Sequence, residues 1–170
     1  HDTVPMMARA YPGFRHAMLA WLALPVGNEH LALMGILEYP LLVLSTYVLA
    51  REFGVARMVA FAVGFAAAST PVALGGFSTQ GNDIALAIYL TAATAMTLRF
   101  LRSGLAGDAA MSAIALAALT ASKFSGPSYC VLVLFACLLG GGARRFLSMR
   151  ILAVYVGCLS LIAAPWSKGR

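Results

Sequence analysis

Asp83 and Lys123 are the residues on which chemistry in this chain would turn. Asp83 stands in GGFSTQGNDIALAIYL (75–90), at the mouth of a long apolar run, and Lys123 closes another in LTASKFSGP (119–127). An ionisable group inside or bordering an apolar segment is costly to take out of water, which makes it a functional candidate by default. Arg15 and His16 stand ahead of the first apolar run, Lys168 and Arg170 after the last, and Glu38 lies within a run beside Tyr39 and Pro40. Each also has an ordinary role open to it. Asp83 follows Asn82 and suits the first turn of a helix, where a carboxylate meets free N–H groups and the positive end of the dipole. Lys123 can lay its stem in lipid and raise its ammonium to the interface. Glu38 can be protonated or paired between helices, and His16 and His30 serve as readily on a polar surface as in a site. Gly140 to Gly142 form a flexible loop entry with no ligand in view.

Something must position these groups, and composition says what. Apolar residues are 61% of the chain and charged residues 11%, and mean hydropathy is +0.86. Soluble domains sit nearer 45–50% apolar and about 25% charged. A water-soluble globule with this sequence could not cover its own surface with polar groups. The balance fits a bilayer. The formal charge of +6 does not point to nucleic acid, because the arginines sit in short loops between apolar runs, without a basic stripe or interleaved aromatics. Cys130, Cys137 and Cys158 lie within apolar runs, without CxxC spacing or a neighbouring histidine, and read as small buried hydrophobes.

A helix needs roughly 20 residues to cross a 30 Å hydrocarbon core. Candidate spans are 31–50 (interrupted by Glu38 and Pro40), 58–76, 83–99, 108–123, 126–140 and 151–166. The later ones are short and would borrow loop residues or cross a thin region. Small residues crowd several of them, as in AIALAALTAS (113–122), and let helices approach closely. The expected fold is all-α, a multi-span transmembrane helical bundle of about six spans occupying 31–170. Residues 1–30 form a separate outer-face juxtamembrane segment, in which Phe14, Ala17, Met18, Trp21 and Leu22 follow the spacing of an interfacial amphipathic helix.

Loop charge orients the spans. Arg51 and Arg57, Arg99 and Arg102, and Arg144, Arg145 and Arg150 fall in alternate loops, whereas 76–82 and 124–126 carry almost no positive charge. The positive-inside rule puts the arginine loops in the cytoplasm. Asp83 then opens one span, and Lys123 closes the next, on the same outer face. The start on His1 and the stop after PWSKGR give the expectation of a piece of a longer protein.

The order YPGFRHAMLAW, VLAREFGVAR, TPVALGGFSTQGNDIALAIYL, LTASKFSGP and APWSKGR resembles the polytopic membrane glycosyltransferases of the GT-C fold, in particular family-39-like bacterial enzymes such as the aminoarabinose and protein mannosyl transferases. The similarity covers most of the chain through individually loose motifs whose order and shared sidedness carry it. In that family an Asp opens a span on the outer side after a Thr- or Ser-containing loop, and Asp83 matches. A Lys closes the next span, matched by Lys123, although Phe124 and Ser125 here precede the glycine. Pro165, Trp166 and Arg170 resemble a closing Pro-Trp followed by Arg, and Tyr11 with Pro12 a Tyr-Pro of the first outer segment.

The resemblance implies a sugar moved from a polyprenyl-phosphate carrier to a glycan, lipid or protein acceptor at the extracytoplasmic face of the bacterial inner membrane. It implies that Lys123 and Arg170 hold the donor phosphate and that Tyr11, Arg15 and His16 line the acceptor side. The general base is an Asp early in the first outer loop, for which Asp2 is the acid at hand; Asp83 would assist it or orient hydroxyls. The family's first span is absent from this chain, so the piece alone is not expected to catalyse. No residue is assigned to a metal, and a divalent cation is an admissible cofactor rather than a required one. Two other classes fit parts of the pattern. A transporter or channel would use Glu38 with Pro40 at mid-membrane but would show repeats, and in a non-catalytic assembly subunit all the charges would be boundary markers.

Overall fold

The computed structural model describes residues 34–78, 82–123, 125–139, 153 and 155–157, and among these it is all-helical with no strand. The elements are α1 (Met34–Glu52), α2 (Arg57–Ala68), α3 (Pro71–Ser78), α4 (Asn82–Ser103), α5 (Ala106–Ser122) and α6 (Gly126–Cys137). Residues 153 and 155–157 are helical as well.

The helices differ from the sequence expectation at several points. Pro40 does not interrupt the first run, for α1 continues through it to Glu52. A proline lacks the N–H that would bond the carbonyl one turn back, but the ring is on the exposed side of the helix, and apolar helices accommodate such a loss. The run 58–76, by contrast, is two helices. Pro71 opens α3, where its missing N–H costs nothing. Thr70 Oγ1 accepts from the Ala73 amide at 3.3 Å and donates to the Ala67 carbonyl at 3.1 Å. The hydroxyl thereby ends one helix and caps the next. α2, with 12 residues, is about 18 Å long.

α4 is the axis of the bundle. It runs 22 residues, about 33 Å, and from Asp83 to Ser103 it is long and apolar enough to cross a membrane by length and composition. It carries Arg99 and Arg102 within its final turns, where the sequence had suggested they lie at a boundary. Gly104, at φ 69°, supplies the left-handed turn into α5, which packs back antiparallel along α4. α1 lies along α4 in the same direction, with Leu42, Val43, Ala73, Ile84 and Ile88 buried together at one end. At the other end Arg102 Nη1 reaches Glu52 Oε2 at 3.0 Å.

The core is made of small side chains. Ala93, Ala95, Thr97, Ala109, Ser112, Ala113 and Ala117 are fully buried, with Phe100, Leu116 and Leu119 filling the remainder. Close approach follows. A Cβ added at Gly64 of α2 would sit 2.5 Å from the Val43 carbonyl oxygen of α1, and one at Gly126 would strike the Leu119 carbonyl. Gly126, Cys130, Val133 and Cys137 form the inward stripe of α6. Cys130 and Cys137 are free and buried; Cys158 lies outside the described residues. Large apolar side chains such as Met58, Phe61, Phe65, Val72, Leu132 and Phe135 face outward.

Candidate functional site at the Asp83 end

Two helix ends and a short turn build the site. α4 starts at Asn82, so Asp83 falls in its first turn, where the orphan amides and the dipole favour a carboxylate. α5 returns to the same end and stops at Ser122, leaving Lys123 as its C-cap in an extended conformation (φ −152°, ψ 159°). The Lys123 carbonyl accepts from the Gly126 amide at 2.8 Å, and Pro127 stands in the first turn of α6. Lys123 is thereby aimed across the hairpin, and its Nζ donates to Asp83 Oδ1 in an ion pair. The acid and the base at the two ends of this hairpin meet.

The pair is asymmetric. The Asp83 side chain is 76% exposed and that of Lys123 26%. An exposed pair is itself worth little in stability. Asp83 also stands at the lip of a groove of about 630 Å³ that runs between α1, the α2–α3 corner and α4. Its walls are mainly Leu42, Val72, Ala73, Ile84 and Ala87, with the hydroxyls of Thr46, Thr70 and Thr91 among them. Thr91 Oγ1 donates to Ser45 Oγ at 2.8 Å and thereby ties α4 to α1 below the groove. Tyr39 OH and Ser69 Oγ, 3.1 Å apart, tie α1 to the α2–α3 corner. The Tyr39 and Phe65 rings meet edge to face at 6.1 Å. Glu38, one residue before Tyr39, is buried at 8% exposure, near the start of α1 and so at the Asp83 end.

The arrangement offers an ammonium for an anionic group and a carboxylate able to accept from hydroxyls, both at the entrance of a mostly apolar trough. Among the described residues no group of three or more His, Cys, Asp or Glu is placed to hold a metal ion. Asp2, Tyr11, Arg15, His16 and Arg170 lie outside the described residues. Thr46, Thr70 and Thr91 were not anticipated. Thr91 had a signal, since Asp83, Ala87 and Thr91 recur at helical spacing along one stripe of α4; Thr46 and Thr70 come from other elements and had none.

The opposite end carries its own charges. Arg99 Nε lies 3.2 Å from Asp108 Oδ1, and Ser103 Oγ donates to Asp108 Oδ2 at 2.5 Å. Arg51 Nη1 donates to the Val55 carbonyl at 2.7 Å. Positive side chains outnumber carboxylates there, and they are about 29 Å from the Asp83 level by the rise of α4 between Asp83 and Arg102. No protein-family model matches the chain, and neither a curated protein nor a solved structure matches it significantly.

Proposed function

We propose that this chain is part of a multi-pass membrane glycosyltransferase that moves a sugar from a polyprenyl-phosphate carrier to an acceptor on the extracytoplasmic face of a plasma (inner) membrane. The observation that carries the reading is the Asp83–Lys123 pair at the lip of an apolar groove. A lipid-linked donor needs both features together, a cation for its phosphate and a trough for its tail. In this reading α1, α2 with α3, α4, α5, α6 and the segment around Tyr155 make about six spans. The arginine end faces the cytoplasm, as loop charge favours.

The chemistry is a displacement at the anomeric carbon. An acceptor hydroxyl forms the new C–O bond as the bond to the carrier phosphate breaks. Its proton passes to a carboxylate base, and the polyprenyl phosphate departs with the bonding electron pair. Lys123 exchanges its contact with Asp83 for the phosphate oxygens and stabilises the charge that grows there. Asp83, released, accepts from a sugar or acceptor hydroxyl. The base is assigned to an acid of the first outer segment, with Asp2 the candidate within this chain.

The test is transfer by the complete protein from a labelled polyprenyl-phosphate sugar. Lys123→Met is expected to lower turnover by about 10²–10³-fold while the protein remains folded in the membrane; near-normal turnover would overturn the phosphate role. Asp83→Asn keeps a side chain able to cap the helix but removes the charge. Full activity in that variant would reduce Asp83 to a helix cap.

A further inference from the structure

A second groove, of about 570 Å³, lies at the opposite end of the bundle between α4 and α6. Its walls are apolar, built from Leu98, Leu101, Leu132, Val133 and Ala136, and its rim carries Arg102. From Thr94, which also lines it, to Arg102, α4 rises about 12 Å. That compares with roughly 15 Å for one leaflet of the hydrocarbon core. The groove therefore has the depth of an acyl chain, with a guanidinium where a headgroup would be.

The charges at the rim are turned in a telling way. The Arg99 and Arg102 side chains are 57% and 58% exposed, whereas their partners Asp108 and Glu52 are each 16% exposed. The carboxylates are tucked against the bundle and the guanidinium groups face outward, so the surface presented is positive. A guanidinium also has more N–H donors, set in a planar fork, than one carboxylate oxygen can occupy.

We propose that this groove is a binding site for an anionic phospholipid, with one acyl chain lying between α4 and α6 and the phosphate on Arg102. Basic pockets between membrane helices on the cytoplasmic side suit such headgroups. The proposal rests on placing the chain in a bilayer but not on glycosyl transfer, since Arg102 is at the far end of α4 from Asp83.

The test uses the full protein in nanodiscs of equal phosphatidylglycerol and phosphatidylcholine, released for native mass spectrometry. Preferential retention of phosphatidylglycerol is expected. Arg102→Gln should lower that preference about fivefold and leave some lipid bound. Ala136→Trp, which fills the groove, should lose lipid of either headgroup while circular dichroism remains that of the parent. Equal retention of the two lipids by the parent, or an unchanged preference in Arg102→Gln, overturns the proposal. So does cross-linking of a Leu132→Cys variant to residues 140–170 or to a second copy, because protein would then cover the groove. Should Ala136→Trp fail to fold, the headgroup preference of Arg102→Gln decides alone.

Discussion

At Ser112 hydroxyl groups from separate segments meet in the core. Thr97 Oγ1 donates to the Ala93 carbonyl at 2.6 Å, which commits its proton. Ser112 must therefore donate to Thr97 across their 2.7 Å contact, and it accepts from Tyr155 OH at 2.7 Å. The bonds run in one direction, from Tyr155 to Ser112 to Thr97 to a backbone carbonyl. Replacing Ser112 with Ala removes its bonds to Tyr155 and Thr97 and is expected to lower stability by about 1–2 kcal/mol, read as a shift in the unfolding midpoint in micelles. No loss would mean that water or another group takes its place. This network was not legible in the sequence. Thr97 and Ser112 sit in runs of alanine, where a small hydroxyl side chain reads as packing, and their partnership needs α4 and α5 to be placed side by side. Asp83 and Lys123 were legible, because a charge beside an apolar run stands out whatever the fold.

Among the elements, the division between α2 and α3 shows how a pattern hides a boundary. Thr70 followed by Pro71 is a helix-start signature, yet continuous hydrophobicity on both sides made 58–76 read as one span. Pro40 had the opposite effect, suggesting a break that α1 does not make. An interior proline costs a helix a hydrogen bond without always ending it, and α1 packs against both α2 and α4. Glycines can be sorted on the same grounds. Gly64→Val would drive a side chain into the Val43 backbone of α1 and is expected to cost about 1–3 kcal/mol or more. Gly75→Ala in α3 meets nothing within 4 Å and should be neutral or stabilise by about 0.4–1 kcal/mol. Unfolding midpoints of both variants check this; equal effects would mean that the α1–α2 contact is looser than described.

At the scale of the bundle, small side chains make up much of the interior of the described residues, and leucine, phenylalanine and valine form much of their surface. Composition made this visible before any geometry, since a chain 61% apolar cannot hide that area from water. What composition could not supply was which helices lie together. The six-span reading makes a prediction at this scale. With native cysteines replaced by alanine, Gly107→Cys and Ser128→Cys, both at exposed positions at opposite ends of the bundle, should react with an impermeant maleimide from opposite sides of the membrane in intact and inverted vesicles. Labelling from the same side would remove the assigned orientation and the transferase reading with it.

The parallel course of α1 and α4 bears on how the protein is made. Ser45 waits for Thr91, 46 residues further along the chain, an interval of roughly 2–9 s at ordinary rates of elongation. Until α4 leaves the ribosome, the flank of α1 that it will cover has, among the described helices, only α2 and α3 beside it. Nascent chains halted before that point should therefore be the ones that quality-control proteases recognise.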